Sequence, residues 1–394
     1  MTLMTTYETT HPWLTFDLEL SRAPTSLWLL LGHARSSCEH MARLPLLPPI
    51  ADEIDTAYLI RGLRATAAIA GDSLSEGQVR DLLSGRLAPL PSRSHLHLEA
   101  MNLIEAFRAV RDDAAAGGAG ALTPERVSDY NRLVLRGSEK PEGPQPGEVR
   151  RFADTAGRHG GAPSEDCLYL LDRLCGWLRT GSFADDVASG RATAILKAVI
   201  AHLYLAWIQP FADGNGRTAR LAEHAILLGG GVPAAAAHLL TIHYCETRAR
   251  YGQELERATK HWGSPLTFLH YAVEGFVDQL AEQLALVRSH QLSACWRDFV
   301  HQSSASWTSG AEGRRKELAL AISRKDGGVS LDEVPGLTPR LAMAYSRRSS
   351  RTLLRDLELC RNHGLVRRTV DGRYEANLDI LLPFSQIHRS PESA

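Results

Sequence analysis

The residues best equipped for chemistry lie between Gln209 and Arg220, in the run Gln-Pro-Phe-Ala-Asp-Gly-Asn-Gly-Arg-Thr-Ala-Arg. A Gly214-Asn215-Gly216 turn that opens a helix presents several backbone N–H groups at the positive end of the helix dipole, which makes an anion site. Arg217 and Arg220 then share one face of the first helical turns, where each guanidinium can fork onto further phosphate oxygens. Asp213 stands just before the turn, where a Mg²⁺ ion bridging two phosphates needs an oxygen ligand. Types and spacing together read as polyphosphate plus metal.

Such a turn needs two rigid arms. Upstream, Ile195, Leu196, Val199, Ile200, Leu203 and Trp207 recur at helical spacing over 193–208; downstream, Leu221, Ala225, Ile226 and Leu228 do so until Gly229-Gly230-Gly231 ends the pattern. The same periodicity predicts helices over 24–42, 51–69, 94–113, 164–180, 242–259 and 265–290, with Pro48-Pro49 as a stop after the first. Thr123-Pro124-Glu125 supplies an N-cap, a first-turn proline and a first-turn acid for another helix. Residues 138–163, rich in Gly and Pro, suit a loop or a short hairpin. The resulting division is a helical region over 1–93, a core over 94–290, a linker over 291–313 and a separate C-terminal domain over 314–385.

Composition narrows the class. A chain of 394 residues with a formal charge of −1 lacks the global charge that would draw it to nucleic acid or to membranes. Its six cysteines are scattered without a CxxC pair, as expected of thiols in a reducing compartment. The Met1 region has no basic segment followed by an apolar core, and the run Leu27–Leu31 is too short to span a bilayer, so a cytoplasmic protein with no membrane partner is expected. No Walker A pattern, HExxH pair or dinucleotide-binding GxGxxG is present.

The run from Gln209 to Arg220 resembles the Fic-domain signature HxFx[D/E]GNGRxxR at every defined position except the first, where Gln209 replaces histidine. The resemblance implies a mainly α protein with a Fic-type helical core, and transfer of AMP from ATP to a hydroxyl of a target protein. It implies that Asp213 holds Mg²⁺ on the α- and β-phosphates and that Gly214, Asn215 and Gly216 cradle the phosphates. Arg217 would meet the β-phosphate and Arg220 the γ-phosphate, with Phe211 anchoring the loop in the core. The absent histidine is the residue that deprotonates the target hydroxyl in the family.

Two further stretches extend the likeness. Residues 65–76 resemble the N-terminal inhibitory helix [S/T]xxxE[G/N]: Thr66 and Gly71 fall in place, but Ala70 occupies the glutamate position. That glutamate pairs with the second signature arginine in the family, so Ala70 leaves Arg220 to phosphate or to another partner. Asp72 and Glu76 are offset from that helical face. Residues 146–163 resemble the β-hairpin flap that holds the target as an added strand. Phe152 and Ala153 are its main apolar part, and an exposed loop fits the stretch equally.

The C-terminal region reads as helix over 314–322, a short element over 329–334, a helix over 346–362 and a hairpin turning at Asp371-Gly372. That is winged-helix order, and winged helices accompany many Fic domains. Between Arg340 and Arg373, nine arginines face three carboxylates. Arg347, Arg348, Arg351 and Arg355 lead the candidate recognition helix, where phosphate contacts would give salt-dependent DNA affinity. A protein-contact or dimerisation role, with a homodimer among the outcomes, fits the order equally.

A glutamine amide cannot accept a proton as an imidazole does, and losing general-base help costs about 10²–10⁴ in rate. Three readings follow. The protein binds nucleotide and reports it through its C-terminal domain; or it transfers to an acceptor already ionised, such as a small carboxylate or phosphate; or His159, His202 or His224 supplies the base.

Overall fold

The computed structural model describes residues 6–72, 74–86, 94–118, 121–138, 144–151, 160–180, 190–260, 264–325 and 327–382. The chain divides into two compact units, 1–284 and 285–394.

The first unit is helical: α1 Thr6–Thr10, α2 Thr25–Arg43, α3 Pro48–Ala70, α4 Glu76–Leu83, α5 Ser94–Ala115, α6 Pro124–Val134, α7 Cys167–Thr180, α8 Arg191–Ile208, α9 Asn215–Gly229, α10 Leu239–Glu246, α11 Arg248–Lys260 and the first part of α12 Leu266–Ser303. Its axis is α8, apolar on every face, with Ile195, Leu196, Val199, Ile200, Leu203 and Ile208 all fully buried. Among the described residues this is the one helix long and apolar enough to cross a membrane, and 78% of it is buried inside the protein. Helix α9 folds back along α8; α5 and α6 pack on α9, and α3 packs on α10.

Several boundaries differ from the periodicity, each for a local reason. Pro48 and Pro49 open α3 instead of stopping α2, because a first-turn proline lacks only an amide that has no intrahelical partner. Ser75 starts α4, unforeseen from the apolar pattern, through a capping box with Gln78. The stretch 242–259 is two helices separated at Thr247.

The second unit centres on Leu318, Ile322, Leu341, Leu353, Leu357 and Val366. Its helices are α13 Gly310–Ile322, α14 Pro339–Tyr345 and α15 Ser350–Asn362, followed by β1 Val366–Arg368 and β2 Tyr374–Ala376. The two strands are antiparallel, pairing Val366 with Ala376 and Arg368 with Tyr374, and Val329 bridges to Tyr374. Gly372 takes the left-handed backbone that the turn requires, at φ 83°. The single helix expected over 346–362 begins at Ser350, because the backbone at Ser349 is extended. Residues 291–303, expected to begin a linker, are helical, and Trp296 and Val300 belong to this unit's core.

One contact fixes how closely α3 approaches its neighbour. A methyl on Gly62 would stand 2.4 Å from Nδ1 of the buried His238 ring. Gly62→Ala should therefore lower the melting temperature, the overpacking cost of about 1–3 kcal/mol exceeding the ~1 kcal/mol gain in helix propensity. Gly32→Ala, in α2 with nothing within 4 Å of the new methyl, should raise it. Equal shifts in thermal melts would show that α3 is not held by this contact.

Candidate functional site

The site begins with a strained backbone. Helix α8 ends at Ile208, and Gln209 takes the left-handed conformation at φ 46°, ψ 64°, which costs a non-glycine residue about 1–3 kcal/mol. Neighbouring chain pins it in place. The N–H of Arg150 donates to Pro210 O at 2.8 Å, and the N–H of Ala162 donates to Ile208 O at 3.1 Å. The buried Arg150 side chain donates from Nε to Gln209 O at 2.7 Å and from Nη2 to Ala162 O at 2.8 Å. Positions 150 and 162 thus bracket Gln209. Gly161 fits between because a Cβ there would lie 2.8 Å from the Gln209 Cβ. The middle of the flap-like stretch, 152–159, with Phe152, Ala153 and His159, lies outside the described residues.

The turn itself is built from side chains folded back on backbone. Asn215 Oδ1 accepts the Phe211 N–H at 2.9 Å and its Nδ2 donates to Phe211 O at 2.6 Å, while the Phe211 ring is buried. Asp213 Oδ1 accepts the Gly214 N–H at 2.5 Å, and Gly214 is left-handed at φ 74°. Asn131, which nothing in the sequence pattern singled out, ties the loop to α6. Its Nδ2 donates to Asp213 O at 2.9 Å and to Thr218 Oγ1 at 3.1 Å, and its Oδ1 accepts the Gly147 N–H at 2.8 Å. Helix α9 starts at Asn215, so its first-turn amides at Asn215, Gly216 and Arg217 have no intrahelical acceptor.

Both arginines have partners. Arg217 Nη1 lies 3.2 Å from Glu99 Oε1 on α5, and Nη2 lies 3.5 Å from Asp213 Oδ1. Arg220 is buried beside Gly216, and its Nη2 donates to the Thr66 carbonyl at 3.2 Å. Thr66 is in the last turns of α3; Ala70 is the final helical residue, and Gly71 caps it in the left-handed region at φ 114°. Arg220 thus rests on a backbone carbonyl near the negative end of a helix, one turn before Ala70. Burial pushes the nearby Glu223 carboxyl up to about 8, opposed by the Tyr244 hydroxyl and by the charge of Arg220. Of the two acids offset from the Ala70 face, Glu76 lies 3.9 Å from Arg64. Asp72 instead reaches Glu99.

The two described histidine candidates are packing groups. Burial and Arg220 push His202 down to about 3, and its Nε2 meets the Tyr251 hydroxyl at 2.8 Å. Burial pushes His224 down to about 4, with Nδ1 at 3.1 Å from Ala237 O. Neither side chain has an open path to a substrate.

Asp213, with its side chain 72% exposed, fits a Mg²⁺ ion that takes one carboxylate, phosphate oxygens and waters. No group of three or more His, Cys, Asp or Glu side chains forms a cage among the described residues, and such an ion needs none. A cavity of about 230 Å³ is lined by Trp13, Gly160, Ala206, Trp207, Leu255, Glu256 and Thr259. The indole N–H groups of Trp13 and Trp207 are buried there without a hydrogen-bond partner among the described residues.

Removing Asn131 tests the loop's dependence on α6. Asn131→Ala should cost about 1–3 kcal/mol by stranding buried partners. It should also speed amide exchange at Gly214–Arg217 well beyond the global change in stability. Exchange that rises only as global stability falls would show the turn to be self-sufficient.

Comparison with known proteins agrees with this architecture. Residues 121–227 match the Fic/DOC family. The chain is 29% identical over 210 residues to the protein adenylyltransferase fic-1 of Caenorhabditis elegans, covering 53% of this chain and 38% of that protein. It is 28% identical over 174 residues to the protein adenylyltransferase Fic of Culex quinquefasciatus, covering 44% and 33%. The match therefore spans well under half of these relatives. Among solved structures, a Fic family protein from Desulfovibrio desulfuricans superposes with a TM-score of 0.54 at 18% identity, covering 90% of this chain and 96% of that one. Fic-1 from C. elegans superposes with 0.54 at 22% identity, covering 66% and 72%. With the helical fold and the loop between α8 and α9 in view, the chain is a Fic-domain protein.

Proposed function

We propose that the first unit binds ATP with Mg²⁺ over the turn at Gly214–Arg217, and that its chemistry is AMP transfer with the general-base step altered or lost at Gln209. The observation that carries this reading is the loop itself: first-turn amides, two arginines and one open carboxylate, held in place by Asn131, Asn215 and Arg150. AMP transfer is the activity in the relatives' names, protein adenylyltransferase.

Positioning and charge neutralisation supply most of the catalysis in phosphoryl and nucleotidyl transfer, and neither needs an imidazole. An acceptor that is already ionised, a carboxylate or a phosphate, carries its own attacking electron pair. Its oxygen bonds to the α-phosphorus, the bond to the bridging oxygen breaks, and pyrophosphate leaves with that pair; no proton has to move. A protein hydroxyl would instead have to lose a proton, and Gln209 has no site to take it.

Incubation with α-labelled ATP, Mg²⁺ and host lysate tests the reading beside Gln209→His and Arg217→Ala. Label transferred by the native protein and lost in Arg217→Ala marks an active transferase that works without the histidine. Label only in Gln209→His marks a competent pocket stopped at that one position. Label in neither, with no ATP binding, overturns the proposal.

A second reading rests on the other unit, as a catalytically inactive, nucleotide-responsive regulator. Arg347, Arg348, Arg351 and Arg355 are exposed at the front of α15 and the turn before it, and none has an ion-pair partner among the described residues. In this reading α13, α14, α15 and the β1–β2 hairpin act as a winged helix whose leading face meets DNA phosphates, with an acidic protein surface as the other outcome. Duplex DNA affinity should fall steeply with salt, and Arg351→Ala with Arg355→Ala should flatten the log–log slope by about 0.9 per contact removed. An unchanged slope would point to a protein partner.

A further inference from the structure

The first signature arginine is already occupied. Arg217 has only 9% of its side chain exposed, and its Nη1 lies 3.2 Å from Glu99 Oε1, on a helix far from the signature in sequence. The contact satisfies charge but not hydrogen bonding: Arg217 Nη1 is buried and has no hydrogen-bond partner among the described residues. A guanidinium held this way has donors to offer a better-placed acceptor, and phosphate oxygens are such acceptors. Glu99 is itself partly exposed, at 28% of its side chain, so it can leave towards water without being stranded.

Behind Glu99 stands Asp72, just past the Gly71 cap of α3. The two carboxyls lie close enough for Glu99 to disfavour the charged form of Asp72. Burial first, and then the hydrogen bond and charge of Glu99, push Asp72 up to about 6, against the opposing charges of Arg217 and His95. Asp213 faces the same guanidinium from the loop, with Nη2 at 3.5 Å from its Oδ1. Three carboxyl groups, from the end of α3, from α5 and from the turn, thus gather around one arginine.

We propose that Glu99, backed by Asp72, is an internal anion that occupies Arg217 in the nucleotide-free protein and must be displaced before a phosphate binds there. The contact lies on a different helix and a different arginine from the position that Ala70 vacates. It sets the affinity of the site for any polyphosphate, since whatever binds must first free the guanidinium. The inference rests on the reading of Arg217 as a phosphate ligand.

Calorimetric titration of the full chain with Mg²⁺-ATP, and separately with inorganic tripolyphosphate, separates the two claims. Glu99→Gln should tighten both ligands by about tenfold, within the usual range of couplings between competing interactions. Glu99→Asp keeps the charge and shortens the reach, and should tighten them less. Arg217→Ala should weaken both, and adding Glu99→Gln to Arg217→Ala should bring no gain, because the competition runs through that arginine. If Arg217→Ala binds as tightly as the native chain, the phosphate role of Arg217 is wrong. If Arg217→Ala binds weakly but neither Glu99 variant tightens, the phosphate role stands and the internal anion is refuted. Glu99→Gln that melts lower than the native chain leaves the test to Glu99→Asp, in which unchanged affinity likewise refutes it.

Discussion

The reversal of the chain between α8 and α9 is the constraint on which the rest of the site depends. Helix α8 is buried on every face and has no freedom to turn, so the chain must double back within a few residues to lay α9 along it. Two left-handed residues do this, Gln209 and Gly214. Glycine adopts that backbone freely, whereas glutamine does so only when its surroundings force it. Arg150 is the main compensating group. Its Nη2 lies 3.3 Å from Ile208 O and its Nε 2.7 Å from Gln209 O, so it satisfies carbonyls that the end of α8 leaves open and places positive charge at the negative pole of that helix. One buried arginine therefore closes the helix, holds the strained residue and carries the chain that brackets it.

The second consequence is electrostatic. A guanidinium as buried as Arg220 normally demands a carboxylate in contact, and the position that would supply one is Ala70. The carbonyl of Thr66 substitutes, near the C-terminal end of α3 where the helix dipole is negative. Glu223 lies one turn further along α9, its carboxyl pushed up to about 8 by burial and held by the Tyr244 hydroxyl at 2.9 Å, so it adds little negative charge near neutrality. Arg220 is thereby kept in position without an ion pair that would quench it outright. Arg217 differs in having a formal ion pair, with Glu99, while each guanidinium keeps a buried nitrogen without a hydrogen-bond partner among the described residues. The two signature arginines are prepared for anions by different means.

How much of this was legible in the sequence depends on range. The turn, its flanking helices and the hairpin at Asp371-Gly372 are local: glycine, asparagine and apolar periodicity encode them within a few residues, and the structure has them where the pattern puts them. Cap chemistry accounts for several missed boundaries, because Pro48-Pro49 and Ser75 act through backbone amides that hydrophobic spacing does not report. The partners of the site were not legible. Asn131, Arg150 and Glu99 lie roughly 60 to 120 residues upstream of the turn in ordinary surroundings; the packing of α5 and α6 on α9 brings Glu99 and Asn131 to it, and the Val149–Phe211 bridge brings Arg150. An asparagine in the middle of an amphipathic helix was the one available sign, since such residues prefer caps and turns unless they bond elsewhere. The offset that seemed to remove Asp72 from the site assumed that α3 continues; the left-handed cap at Gly71 redirects the chain instead.

These relations separate the two functions of the loop. The backbone at position 209 is dictated by the helix reversal and its clamps, and it stays left-handed with glutamine as its side chain. The turn that would hold phosphate is fixed by Asn131 and Asn215, which bond to Asp213 and to Phe211. An imidazole or an amide at 209 would therefore sit on the same scaffold above the same anion site. Replacing one by the other changes whether a proton can be accepted, not whether the phosphates are held. Position 209 is clamped by Arg150 and the turn at Gly214 by Asn131 and Asn215, two sets of contacts that act on one chain reversal.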